Sequence, residues 1–336
     1  MNAREYLSDD GQAMLALCSA FALKEDSEGS RASPFTLSEW NQLARQIHKS
    51  SFQRPGELQG RSAADIAREL AIAADESERI TRLLDRSGRL ALELENLYSR
   101  GMWVLTRMDE QYPSKLRDTL RHQAPTVIFG AGEVHLLGRP GIAVVGSRNI
   151  DESGATFARE IGRKTSAAKQ PVVSGGARGS DRLAMDGSLG AGGTAVGALA
   201  DSLEATIRKP DVRDFLLEGR LALLTPYSPS AGFSVGAAMG RNKVIYGLAG
   251  FAVVVSSDFK TGGTWTGAAE ALKAGWCPVF VRDGANVPKG NLELLKIGGA
   301  PLPESEINNI GSLPDWMQEH ARKDRQERDL FGSALG

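Results

Sequence analysis

Apolar residues recur at three- and four-residue spacing through roughly the first hundred positions, then give way to short unbroken apolar runs that end in glycine or serine. In the first stretch, residues 13–23 form an apolar run rich in helix formers. Residues 61–70 and 77–84 keep helical spacing, and Leu90, Leu94, Leu97 and Tyr98 extend it. Ser33-Pro34-Phe35 reads as a turn, and the helix after it starts at a Thr36 or Ser38 cap. Residues 24–31 are polar, with serine and glycine, and predict a loop.

From residue 102 the period changes. Runs at 102–105, 125–130, 142–145, 171–173, 194–199, 221–225, 251–255 and 278–281 read as strands. Most are separated by polar, helix-compatible stretches. A helix is expected at 181–189. The stretch 201–218 is helical but interrupted by Pro210. Gly240 opens a short helix, and another runs over 267–274. Alternating strands and helices joined by short turns predict an α/β fold with a doubly wound, mostly parallel Rossmann-like sheet. The expected organisation is a small helical domain over 1–100, the sheet domain over 101–310, and a charged tail over 311–336. In that tail KDRQERD (323–329) either frays or forms an exposed helix.

Composition narrows the function classes. With 336 residues, 41% hydrophobic and 24% charged, the chain can bury a core without covalent staples. Its net charge of −1 neither requires nor forbids a polyanion, so any anion site must be a local patch. Cys18 and Cys277 cannot form a disulfide framework and are expected as buried thiols. The four histidines, at 48, 122, 135 and 320, are scattered, so no metal site is expected. No apolar run approaches the roughly 20 residues of a membrane span. The N-terminus carries acids where a signal peptide has basic and apolar regions. The expected location is the cytoplasm, with no membrane partner.

The chemistry sits in the glycine-bearing segments that follow the strands. Gly146-Ser147-Arg148 closes the 142–145 strand, where an arginine and open backbone amides suit a phosphate; otherwise the arginine only salt-bridges the sheet edge. Ser174-Gly175-Gly176-Ala177-Arg178-Gly179 closes the next strand and leads into a helix, which adds its positive end. Asp181 would repel a phosphate there, and reads as a cap or as an orienter of Arg178. Arg241, Asn242 and Lys243 place two cations about an amide. Gly262-Gly263-Thr264 is a further glycine turn, which either holds a phosphate or only turns the chain. Trp265 could stack on a base or fill the core, and Glu270 could touch a ribose hydroxyl or face solvent. Four such loops at the strand ends of one sheet, three of them with cations, predict a positive, glycine-lined groove for a sugar–phosphate backbone or a nucleotide. No catalytic set and no cofactor motif accompany them.

At these residues the chain resembles the DprA/Smf family, DNA-processing protein A. The resemblance covers roughly residues 112–302. It rests on YPSKLRD, GRPGIAVVGSR, SGGARGSD, LLTPYSP, GRNKVIYGLAGFAVVV, GGTWTGAAEALKAGWCPVFV and GNLELLKIGGAPL, in that order. Arg148 matches the arginine of the family's first turn. Ser174, Gly175, Arg178 and Gly179 match its second loop, and Arg241, Asn242 and Lys243 match its Arg-Asn-Arg segment. The resemblance implies a non-enzymatic protein that binds single-stranded DNA without base specificity, acts in DNA uptake and recombination, helps load a RecA-type recombinase, and forms a homodimer. The departures are Ser180 before Asp181, Leu183-Ala184-Met185 after it, and Ala238-Met239 before the cationic segment. In addition, 201–210 replaces a Gly-rich loop containing Tyr-Pro, and no winged-helix domain is evident. Two other readings remain open: a nucleotide-binding or nucleoside-monophosphate-cleaving protein using the Gly262-Gly263 turn and Glu270, and a component of a phage-defence assembly.

Overall fold

A computed structural model describes residues 7–23 and 33–332. The loop expected at 24–31 lies outside the described residues. Two compact units emerge. The first comprises Met1–Tyr112, Arg121–Ala131 and Thr225–Ala231; the second comprises Pro113–Leu120, Gly132–Leu224 and Gly232–Gly336.

The first unit contains α1 (Asp9–Cys18), α2 (Leu37–Lys49), α3 (Ala63–Leu70), α4 (Ala74–Leu84) and α5 (Ser87–Ser99), followed by strands β1 (Met102–Thr106) and β2 (Val127–Gly132). Leu15, Leu17, Trp40, Leu43, Ile66 and Ile80 lie in its core. Thr36 caps α2 in a capping box with Glu39: each accepts the other's backbone N–H. Arg79 pairs with Glu39 at 2.9 Å, and this hydrogen bond pulls the Glu39 carboxyl down to about 2. Arg86 donates to the carbonyls of Ala16, Ser19 and Phe21, and so satisfies the exit of α1. β1 and β2 pair antiparallel, with Met102 opposite Ala131 and Thr106 opposite Val127.

The second unit is built on seven parallel strands: β3 (Gly141–Gly146), β4 (Pro171–Ser174), β5 (Thr194–Ala198), β6 (Leu221–Thr225), β7 (Ala249–Ser256), β8 (Val279–Asp283) and β9 (Ala300–Pro303). Their order is β6-β5-β4-β3-β7-β8-β9. The chain runs outward from β3 to β6, then returns to pair β7 on the other side of β3. The loops after β3 and β7 therefore flank the point where the winding reverses, which is where open parallel sheets place ligands. The α/β, doubly wound, mostly parallel fold read from the sequence is the observed one. Around the sheet lie α6 (Ser114–Leu120), α7 (Glu152–Ala167), α8 (Ser180–Gly190), α9 (Leu203–Thr206), α10 (Pro210–Leu217), α11 (Val235–Leu248), α12 (Gly262–Ala274), α13 (Lys289–Lys296) and α14 (Leu313–Gly332). The charged tail is thus helical along its backbone to Gly332.

Two helix starts differ from expectation. α11 begins at Val235, not Gly240, because the Ser234 hydroxyl accepts the Ala237 N–H at 3.0 Å. Arg241, Asn242 and Lys243 therefore lie within a helix. α12 begins at Gly262, so Gly262, Gly263 and Thr264 form its first turn, not a turn ahead of it. Glycines at 236 and 240 in α11 and at 262 and 263 in α12 weaken the helical pattern in sequence.

α7 and α8 approach through glycine. A Cβ on Gly162 would sit 2.1 Å from the Ala184 carbonyl oxygen, and one on Gly187 2.3 Å from that of Arg159. Backbone atoms cannot swing aside, so Gly162→Ala is expected to cost about 2 kcal/mol. Urea unfolding of the full chain checks this; an unchanged midpoint would show that the helices have slack here.

Among the described residues no helix is long and apolar enough to cross a membrane. Cys277 is buried and Cys18 partly so, and desolvation pushes both thiols up to about 12.

Candidate functional site

The loops after β3 and β4 meet as one backbone assembly. The Ser147 carbonyl accepts the Ser180 N–H and its hydroxyl, each at 3.2 Å. Gly179 adopts φ +89°, and a Cβ there would lie 2.4 Å from the Ser147 oxygen and 2.6 Å from that of Arg148. Only glycine fits. Arg178 Nη2 donates to Asn149 Oδ1 at 3.0 Å, so the arginines of the two loops share one edge.

The glycine nest at the end of β4 is filled from within. Asp181, 7% exposed, accepts the Gly175 N–H at 3.1 Å, lies near the amides of Gly146 and Ala177, and faces Arg241. Burial pushes its carboxyl up to about 6 against the pull of Arg241 and the three amides. Asp181 is therefore neither a helix cap, since Gly179 holds that position, nor the orienter of Arg178. It occupies the place a phosphate would take on these amides. Ser174 is fully buried and donates its hydroxyl to the Val144 carbonyl at 2.6 Å.

The remaining cations divide sharply. Arg241 is 6% exposed and donates Nη1 to the Ala198 carbonyl at 2.8 Å. Lys243 Nζ pairs with Glu270 Oε1 at 2.8 Å, which commits the glutamate that sequence reasoning kept for a ribose. Arg182 is clasped by Asp186 at 2.8 Å and Asp211 at 2.6 Å. Arg148 and Arg178 are exposed, and neither forms an ion pair among the described residues. Arg148 lies over the Phe233 ring, 5.2 Å from its centroid, and Phe233 is 52% exposed.

Asn242 joins α11 to the first turn of α12. Its Nδ2 donates to the Gly263 carbonyl at 3.0 Å, which holds α11 against the start of α12. A cavity of about 550 Å³ opens there, between Gly146-Ser147-Arg148 on one side and Gly262-Gly263-Thr264 on the other. Trp265 packs edge-on against Phe259, with centroids 4.9 Å apart. A second cavity, of about 430 Å³, lies on the other side of Arg148 and includes Gly175, Arg178 and Arg241. All four segments singled out in the sequence thus line one or the other of two cavities that share Arg148, Ala177, Phe233 and Arg241. Sequence reasoning missed Arg182, Lys209 and Phe233. Phe233, an aromatic in a Ser/Gly-rich loop, was the one with a visible signal.

Comparison with known proteins places this arrangement. The sequence profile of the family described as DNA recombination-mediator protein A matches residues 103–310. The chain belongs to that family. It is 28% identical over 214 residues to the DNA processing protein DprA of Streptococcus pneumoniae, covering 63% of this chain and 72% of the relative. To a putative DNA processing protein DprA of Mycobacterium tuberculosis it is 29% identical over 215 residues. That match takes in 60% of this chain but only 53% of the relative, so the chain spans about half of that protein. The X-ray structure of the Streptococcus pneumoniae protein superposes with a TM-score of 0.62 at 21% identity, covering 80% of this chain and 91% of that one. DNA processing protein A from Helicobacter pylori, whose structure is described for its single-stranded DNA binding mode, gives a TM-score of 0.53 at 22% identity, covering 66% of this chain and 96% of that one. At these identities the two structures establish the family's fold.

Proposed function

We propose that this chain binds single-stranded DNA without reading its bases, along the carboxyl edge of the parallel sheet, as a binding protein and not an enzyme. The observation that carries the reading is the division of cations. Arg182 and Lys243 are ion-paired to carboxylates of this chain and Arg241 is buried against the Ala198 carbonyl and near Asp181, whereas Arg148 and Arg178 stand exposed at one edge with no ion pair among the described residues. These two arginines neutralise phosphates, and the exposed Phe233 ring beside Arg148 offers a stacking face. Gly146, Ser147, Gly179 and the start of α12 shape the groove. Ser174, Gly175 and Arg241 support it from inside. The pairing of Glu270 with Lys243 weighs against the nucleoside-cleaving alternative. A role in cytoplasmic DNA uptake and recombination, with a RecA-type recombinase and a second copy of the chain as partners, extends this proposal from the family resemblance.

The test is a salt series of gel shifts on an oligothymidylate. Arg148→Ala and Arg178→Ala should each weaken binding about 10- to 100-fold, the worth of one charge-assisted contact. Each should also reduce the slope of log affinity against log salt by about 0.7. Arg178→Glu should weaken it further. Lys243→Ala should change little. Indistinguishable shifts for wild type and the arginine variants would remove these residues from the interface.

A further inference from the structure

The carboxyl edge of the sheet carries a second cationic group besides the two arginines. Residues 257–261 follow β7, and Lys289 opens α13 after β8. The two segments are locked together. Asn291, fully buried, accepts the Ser257 N–H through Oδ1 at 2.8 Å and donates to the Val255 carbonyl through Nδ2 at 3.1 Å. A Cβ on Gly290 would sit 2.1 Å from the Ser257 carbonyl oxygen, so glycine is what lets the start of α13 come this close. This packing sets Lys260 and Lys289 about one ring: each Nζ lies 5.1 Å from the Phe259 centroid. Trp265 packs edge-on against the same ring and fixes it.

An aromatic ring holds an ammonium group without neutralising it. Both lysines are exposed, and neither forms an ion pair among the described residues. Two carboxylates belong to the cluster. Glu293 is held by Lys296 at 2.8 Å, and Asp258 borders the cavity of about 550 Å³ that reaches back to Arg148. Lys260, Lys289 and Lys296 against these two leave the cluster positive. The sheet then gives the cations an order. Arg178 follows β4, Arg148 follows β3, Lys260 follows β7 and Lys289 follows β8, and these four strands are consecutive neighbours. An exposed cation with no ion pair among the described residues thus stands past the end of each. At about 4.8 Å between strands the row spans about 14 Å. That is the length of roughly three to five nucleotides at about 3.4 Å or more per phosphate.

We propose that Lys260 and Lys289 form a phosphate site that carries a single strand of DNA crosswise past the ends of β7 and β8, beyond the two arginines. The inference rests on the strand-binding reading above and adds the path of the strand. Phe259 is already engaged by two lysines and Trp265, so the contact is made through the sugar–phosphate chain and not through bases. The test titrates a short oligothymidylate of about 3 nucleotides and a long one of about 12, within the span of single-strand sites, by competition in fluorescence anisotropy. Wild type is compared with the double variant Lys260→Gln/Lys289→Gln, which keeps side-chain length and removes both charges. Lys260 has φ +56°, so Lys260→Gly replaces the glutamine there if the double variant does not fold. The control is Lys169→Gln/Lys273→Gln, which removes two exposed lysines that precede β4 and β8, at the opposite edge of the sheet. The lysine variant should bind the long oligomer about tenfold or more weakly. Its slope of log affinity against log salt should fall by about 1.4, the share of two phosphates on a single strand. The short oligomer, which the two arginines can hold alone, should change little, and the control should bind both as wild type does. Wild-type affinity and slope for the long oligomer in the lysine variant would overturn the proposal, as would an equal loss in the control. Arg148→Ala and Arg178→Ala run in the same series keep the two readings apart. Weakening in the arginine variants alone overturns the lysine site and leaves the arginine interface standing. Weakening in the lysine variant alone supports the lysine site and removes the arginines.

Discussion

Asp181→Ala is expected to destabilise the full chain by about 3–5 kcal/mol, the cost of removing one partner from a buried ion pair. The carboxylate is 7% exposed, accepts the Gly175 N–H and lies near the amides of Gly146 and Ala177. Its removal leaves the Gly175 amide without its acceptor and the Arg241 guanidinium, itself 6% exposed, without the charge it faces. The corner cannot relax by collapse. A Cβ on Gly175 alone would fall 1.7 Å from Arg241 Nη1, so the loop and the guanidinium are already packed without slack. Urea unfolding measures the loss. A cost below about 1 kcal/mol would mean that the strand-end loops are not organised around this carboxylate.

The same group makes a signed pH prediction. Its folded pKa, about 6, lies above the ordinary 3.8, so the folded state holds the proton more tightly than the unfolded chain does. The contribution to stability is therefore greatest below about pH 4, declines as pH rises from 4 to 6, and is flat above that. Two pKa units correspond to about 3 kcal/mol. Asp181→Asn imitates the protonated form and cannot titrate. The stability of wild type relative to Asp181→Asn should fall by about that amount between pH 4 and pH 6.5. A difference that does not vary over this window would show that the carboxylate titrates normally.

Local signals carried most of the fold. Short apolar runs ending in glycine or serine marked β3, β4 and β7, and Thr36 with Glu39 three residues on marked the start of α2. Where glycines fall early in a helix, at 236 and 240 in α11 and at 262 and 263 in α12, local propensity argued for a loop, and a cap or packing decided otherwise. The candidate residues after β3 and β4 were legible because each follows a strand end, whereas Arg241, Asn242 and Lys243 lie inside α11. The electrostatic state of the cations was not legible. Whether Lys243 is free depends on Glu270 one helix away, and whether Arg241 is free depends on Asp181 sixty residues earlier in the chain. Composition cannot distinguish a cation that meets a partner inside the fold from one that does not. Asp181 was misread for the same reason: its sequence neighbour is Arg178, but its spatial neighbour is Arg241.

Arg282→Met is expected to cost about 3 kcal/mol or more. Arg282 stands in β8 with its side chain 1% exposed. It reaches Asp151 Oδ1 with Nη1 at 3.1 Å and Glu304 Oε2 with Nε at 3.2 Å. Its carbonyl accepts from Asn291 Nδ2, which also bonds the Val255 carbonyl, while Asn291 Oδ1 receives the Ser257 N–H. Asp151 in turn caps α7 through the Gly154 N–H at 3.0 Å. One guanidinium thus ties the entry of α7 to the end of the sheet, and methionine fills the volume but leaves two carboxylates facing each other across it. The hydrogen bond from Arg282 holds the Asp151 carboxyl below its ordinary 3.8. A depressed pKa contributes stability above the unfolded value and loses it as pH falls through the folded one. Wild type should therefore lose this contribution only below pH 4, whereas Arg282→Met should lack it at every pH. The gap between the two, measured by urea unfolding, should be widest near neutrality and narrow on acidification. A gap that stays constant down to pH 2 would mean that Arg282 acts through packing alone and that its charge does not hold the α7 cap.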